Sequence, residues 1–318
     1  MTRQILRAVT IAAMAFVSGC TTVERVPFTG AQSAAAAIAG APDVRFWADL
    51  PDAAQRMRPD VPAGQPVTML ALSGGADEGA YGAGVLNGWT QSGTRPEFSV
   101  VTGVSTGALI APFAFLGKEG DASIARFYTS VSARDIFHPR FPLAIPGSTS
   151  VASTAPLAKL IAREVTPELV ARIAEEQAKG RRLFVATANL DAQRSVIWDM
   201  GAIAASALPN KLALFRRVLL ASSSIPVVFP PVVIDASAGG APVHELHADG
   251  GTTAGILAIP PHLAVSDVPI DDAARMHVYL LMNSQIRRAV QQECRDRMAY
   301  LVCRLLLEKI SLPFHILL

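Results

Sequence analysis

The sequence predicts an α/β fold, a three-layer α/β/α sandwich around a mostly parallel central sheet. Short β-branched apolar runs alternate with longer helical stretches, and strands alternating with helices imply a parallel sheet covered on both faces. Glycine-rich turns join strand to helix at two of the junctions. A chain of 318 residues that is 51% hydrophobic and 17% charged also has the material for one large core.

Taken in order, residues 21–65 hold scattered Pro and Gly and an Ala-rich patch at 34–37, with little periodicity, and read as a tether with one short helix. The compact domain is expected to start at Pro66. Residues 66–73 form a short apolar run before glycines, hence a buried strand, and 79–91 follow as a helix despite their glycines. A second strand is expected at 98–104, with a helix at 106–116 directly after it. Further helices are expected at 122–132, 155–164, 167–179, 211–221 and 286–309. The remaining strands fall at 182–188, 195–199, 232–235, 244–248 and 276–282. Residues 98–117 carry no charge, but Ser, Thr, Gly and Pro recur within them. A strand, a tight turn and a buried helix in series explain that stretch better than a membrane span.

Composition excludes several classes. A net charge of +2 gives no field that would draw nucleic acid, so no nucleic-acid partner is expected. Three cysteines cannot form a disulfide framework for this length. Cys294 and Cys303, nine residues apart on an expected helix, would lie about 13.5 Å apart on opposite faces. No spacing of His and Cys suits zinc, no carboxylate cluster suggests a metal pair, and no cofactor is expected.

The N-terminus is basic at Arg3 and Arg7, then apolar from Ala8 to Gly19. Twelve helical residues cover about 18 Å, short of the roughly 30 Å of a bilayer core, so residues 1–19 read as a signal peptide. The run ends Val17-Ser18-Gly19-Cys20, which resembles a bacterial lipoprotein lipobox. That resemblance implies acylation of Cys20 and attachment to a membrane. With Thr21 and not Asp next, it implies the outer membrane, facing the periplasm.

Three segments carry chemistry. Gly103-Val104-Ser105-Thr106-Gly107 is G-x-S-x-G between an expected strand and an expected helix, the context of a nucleophile elbow. The helix after it aims backbone N–H groups toward a developing oxyanion. Upstream, Ser73-Gly74-Gly75-Ala76-Asp77-Glu78-Gly79 joins a strand to a helix through small residues whose amides can converge on an anion. Its spacing does not match a dinucleotide fingerprint, and tight helix–strand packing is the plain alternative. The third segment, His247-Ala248-Asp249-Gly250-Gly251, suits a turn that projects Asp249 toward a neighbour; in isolation a plain turn fits as well.

Together these segments, with Ala221-Ser222-Ser223-Ser224-Ile225-Pro226-Val227-Val228-Phe229-Pro230-Pro231 before the Asp, resemble the patatin-like phospholipase family over about 66–283. The resemblance implies a Ser–Asp dyad without a catalytic His: Ser105 as nucleophile, Asp249 as its base, and the amides of Gly74, Gly75 and Ala76 as the oxyanion hole. It also implies hydrolysis of a lipid acyl ester, a (lyso)phospholipid or other acyl ester, through an acyl-serine intermediate. The sequence departs from the family pattern in three places. Ala76 stands where a third glycine is usual and would be strained at positive φ. Glu78, with Asp77 beside it, stands where a basic residue is frequent, and the negative charge near the anion site would lower activity or disfavour anionic lipids. The chain also stops at Leu318, short of further family elements, which leaves a truncated end to the 66–318 domain open.

Two rivals remain. An α/β-hydrolase would need a late His, and His262 after Pro260-Pro261 is the best candidate, ahead of His277 and His315. His138, His244 and His247 precede Asp249 and have no evident role. A lipid-anchored envelope scaffold on a degenerate hydrolase fold is the other.

Overall fold

The computed structural model describes residues 25–62, 65–129, 150, 152–258 and 276–283, together with the backbone of 314–317. The signal peptide, Cys20, His138, His262 and the helix expected at 286–309 lie outside the described residues. A nine-stranded sheet organises the chain. Its strands are β1 Arg45–Trp47, β2 Val67–Leu72, β3 Val100–Val104, β4 Arg182–Asn189, β5 Arg194–Asp199, β6 Val232–Ala238, β7 Ala241–Asp249, β8 Met276–Leu281 and β9 Phe314–Leu317. The helices are α1 Gly30–Ala35, α2 Ala53–Arg56, α3 Gly79–Gln91, α4 Thr106–Phe115, α5 Asp121–Thr129, α6 Ala155–Glu164, α7 Pro167–Ala178, α8 Met200–Ala205 and α9 Lys211–Ser222.

The α/β class stands, with parallel pairing running from β4 through β3, β2 and β8 to β9 at the end of the sheet order. The flank is antiparallel: β1 and β4 pair with β5, and β4 and β6 pair with β7. For β4–β5 and β6–β7 the cause is loop length, because a parallel crossover needs a dozen or more residues while a short turn can only return the chain as a hairpin. Gln193, with φ +53, closes the β4–β5 turn; Gly239 and Gly240, with φ +57 and +84, close β6–β7.

Alternation along the strands sorts the core into two faces. Leu70, Leu72, Val101, Leu183, Val185 and Trp198 meet the buried sides of α3 to α9. Met69, Ala71, Val100, Phe184, Ala186 and Ile197 face the other way. There, among the described residues, Ala53 and Met57 around α2 and Leu257 cover them.

The expected tether at 20–65 needs correction, because the fold begins upstream of Pro66. β1 pairs with β5 through Phe46 and Ile197, and an isolated bridge joins Ala37 to Ser237. Arg45 reaches Glu245 with both terminal nitrogens, their side chains being 4% and 0% exposed, and also donates to the carbonyl of Ala36 at 2.6 Å. Three residues of strand without alternation gave no periodic signal. Only the pairing across 200 positions makes Arg45 structural.

Glu245 in turn faces the fully buried His247, whose Nδ1 lies 2.9 Å from Thr187 Oγ1; Trp198 donates to the same hydroxyl at 2.8 Å. Burial pushes the His247 imidazole down from its ordinary value, against the pull of Glu245. Burial also acts to raise the Glu245 carboxyl, but His247 and Arg45 outweigh it and hold it down. Removing one member of a buried pair strands the other charge, which typically costs about 3–5 kcal/mol, whereas exchanging both for apolar residues costs far less. Glu245→Ala is therefore expected to lower unfolding free energy by about 3–5 kcal/mol in urea titration, and Arg45→Met with Glu245→Leu by clearly less. Equal losses in the two would contradict the buried-pair account.

Candidate active site

The parallel strands deliver the site at their carboxyl ends. β3 ends at Val104, paired with Ala186 of β4, and the chain then reverses into α4 at Ser105. Ser105 has φ +55 and ψ −124, a conformation L residues rarely adopt, which costs on the order of 1–3 kcal/mol and persists only where surroundings enforce it. The second glycine of the G-x-S-x-G motif is required by close approach: a Cβ on Gly107 would stand 2.4 Å from the Leu72 carbonyl oxygen. All ten residues of α4 are buried, and its first turn carries no acidic side chain of its own to offset the positive end at Ser105.

Asp249 closes β7 opposite Thr187, four residues beyond Glu245. The Ser105 hydroxyl donates to Asp249 Oδ2 at 2.5 Å, and the Gly251 N–H donates to Oδ1 at 2.7 Å. Both carboxylate oxygens thus have a donor, with Asp249 only 4% and Ser105 6% exposed. Burial pushes the Asp249 carboxyl above its ordinary value, while the Ser105 hydroxyl and the Gly251 N–H hold it back. This is a carboxylate more basic than a solvated one, bonded directly to a hydroxyl.

The loop after β2 passes over Ser105. A Cβ on Gly74 would lie 3.2 Å from that of Ser105, and one on Gly75 would lie 1.3 Å from the Asn283 carbonyl oxygen, so no side chain fits at Gly75. Ala76 has φ +50, the strain its side chain implied. The expected trio of amides divides. Gly74 donates its N–H to the Gly255 carbonyl at 2.9 Å, which takes it out of the set. Among the described residues the amides of Gly75 and Ala76 have no acceptor, and Ala76 is exposed. The N–H of Ser105 turns away from this side and donates to Ser222 Oγ at 3.0 Å.

Residues outside the motifs hold this geometry. Asn283, fully buried, donates its N–H to Ser73 Oγ and its side-chain amide to the Ser73 carbonyl, both at 2.8 Å, which pins the start of the glycine loop. A lone Asn after a strand gives no sequence signal for this. Ser222 belongs to a segment the sequence does single out, though without a role. The described imidazoles lie elsewhere. His277 pairs with Thr68 near the start of β2, about 20 Å of strand below the level of Ser105. His244 faces Asp235, and His247 is held by Thr187 and Glu245. Two surface clefts, of about 590 and 520 Å³, are lined around Phe28 and around Arg95, and neither includes Ser105 or Asp249. Among the described residues no group of three His, Cys, Asp or Glu could hold a metal, and no helix is long and apolar enough to cross a membrane.

A family model described as patatin-like phospholipase matches residues 70–274. No curated protein matches. Among solved structures, VipD from Legionella pneumophila is similar at 13% identity with a TM-score of 0.40, over 76% of this chain and 55% of that one. The chain thus spans about half the length of that structure.

The raised carboxyl has a consequence for stability. The folded state binds the Asp249 proton more tightly than the unfolded chain does. Its ionisation therefore costs nothing below the ordinary value of 3.8 and costs progressively more as pH rises through the folded value. Asp249→Asn is expected to be more stable than the parent above that window, with the gap closing toward pH 3.8, as read by urea titration. A variant less stable at pH 7 would contradict the burial of an ionised carboxylate.

Proposed function

The chain belongs to the patatin-like phospholipase family, a family of lipid acyl hydrolases, and we propose that it cleaves lipid acyl esters through an acyl-Ser105 intermediate with Asp249 as the base. The observation that carries this reading is the 2.5 Å hydrogen bond from the Ser105 hydroxyl to a buried carboxylate. As Ser105 Oγ bonds to the acyl carbon, its proton passes to Asp249 Oδ2 and the carbonyl becomes an oxyanion. The amides of Gly75 and Ala76 receive that charge, helped by the positive end of α4. Collapse expels the alcohol, which takes the proton from Asp249. Water activated by the same carboxylate then releases the fatty acid and restores Ser105. Burial of Asp249 favours the uptake of the proton from Ser105 and later from water, because a carboxyl raised above its solvated value is the stronger base.

Asp77 and Glu78, on the short turn after Ala76, support a preference for neutral or zwitterionic lipids over anionic ones. The lipobox-like Val17-Ser18-Gly19-Cys20 supports attachment to the envelope membrane through an acylated Cys20, several acyl chains at about 0.8 kcal/mol per buried methylene holding firmly.

Steady-state hydrolysis of a soluble ester such as p-nitrophenyl butyrate tests the assignment. Ser105→Ala and Asp249→Asn are each expected to lower kcat by about three orders of magnitude or more, and His262→Ala to leave it unchanged. Activity kept by Asp249→Asn and lost by His262→Ala would move the chain to a Ser–Asp–His mechanism. A folded parent with no turnover of soluble or vesicle-presented esters would favour a scaffold.

A further inference from the structure

Three consecutive buried serines, Ser222-Ser223-Ser224, close α9 and meet both members of the dyad. Ser222 is fully buried; its Oγ accepts from the Ser105 N–H at 3.0 Å and donates to the Ala186 carbonyl of β4 at 2.7 Å. Ser223 Oγ donates to the Ser105 carbonyl at 3.2 Å. The Ser224 carbonyl accepts the Asp249 N–H at 2.9 Å, and its hydroxyl is turned back onto the Leu220 carbonyl. Both peptide groups of the strained Ser105 residue, and the backbone of its partner, are therefore held by one segment.

We propose that Ser222 and Ser223 are positioning residues for Ser105, fixing its backbone so that the hydroxyl stays aimed at Asp249; the proposal rests on the acyl-serine reading above. The chemistry of the contacts supports it. A backbone at φ +55 and ψ −124 relaxes unless something holds it, and among the described residues only Ser222 receives the Ser105 N–H. The Ser105 carbonyl is less dependent, since Ala108 and Leu109 of α4 also donate to it. The two serines should therefore contribute unequally, Ser222 more than Ser223. The arrangement also sets where the oxyanion can lie. With the Ser105 amide committed to Ser222 and the Gly74 amide to Gly255, developing charge is left to the Gly75 and Ala76 side of the hydroxyl.

Ser222→Ala, Ser223→Ala and Ser223→Thr in the full chain test this, assayed with p-nitrophenyl butyrate and by the rate at which a fluorophosphonate labels Ser105. Ser222→Ala is expected to lower kcat and the labelling rate by roughly tenfold to a hundredfold, with KM within about twofold of the parent, because misplacement of the order of 1 Å costs rate and not ester binding. Ser223→Ala, which leaves two other donors on the Ser105 carbonyl, is expected to fold and to lose about two- to fivefold in both readouts, with Ser223→Thr restoring them. Should Ser222→Ala not fold, the Ser223 pair decides alone. Labelling at the parental rate in the alanine variants would overturn the proposal. So would a loss that Ser223→Thr does not restore. If instead the parent is not labelled and Ser105→Ala still hydrolyses ester, the nucleophile assignment itself fails, which is a separate result.

Discussion

A hydroxyl and a buried carboxylate 2.5 Å apart constrain the rest of this chain. Keeping Asp249 away from water raises its basicity, and among the described residues no cationic side chain pairs with it, so its ionised form must be held by neutral donors. Two neutral donors, the Ser105 hydroxyl and the Gly251 N–H, occupy its oxygens. The hydroxyl reaches only because Ser105 accepts a strained backbone, and that backbone persists only because α4, the carboxyl ends of β3 and β4 and the end of α9 enclose it. Strain is concentrated in the same place. Of the described non-glycine residues at positive φ, Ala76 and Ser105 lie in the site, and Val227 lies three residues beyond the serine segment that holds it.

The meeting of Ser105 and Asp249 depends on the sheet being mixed. Parallel strands bring the glycine loop after β2 and the elbow after β3 to one edge, since Leu72 pairs with Gly103. Asp249 reaches that edge from an antiparallel strand, β7, set against Thr187 and not on a parallel crossover. The register of β7 therefore fixes where Asp249 sits. That register is anchored two and four residues away by His247 and Glu245, through a buried network that ends on Arg45 in β1. A segment that looks like tether in the sequence is thereby tied to the strand that carries Asp249.

Much of this was legible in the amino-acid sequence, and the limits have physical causes. Ser105 and Asp249 were readable because their turns need glycine at fixed offsets, which leaves G-x-S-x-G and D-G-G behind. The parallel core was readable from apolar runs followed by helices. The antiparallel flank was not, since a strand does not reveal its neighbour's direction until loop lengths and turn residues such as Gln193 are weighed. β1, three residues long, was too short for periodicity. The division of the amides could not be read either: Gly74 and Gly75 are the same residue type, and a carbonyl 181 residues away, on Gly255, takes the first amide. Asn283 and Ser222 act by hydrogen bonds to backbone, which leave no pattern in residue type.

The central claim is that Ser105 carries the acyl group between the two half-reactions. Acid quenching during turnover of an acyl ester, followed by peptide mass mapping, tests it most directly. The account predicts acyl mass on the peptide containing Ser105, and none in Ser105→Ala. Turnover that leaves no acyl peptide under burst conditions, or acyl mass on another side chain, would contradict it.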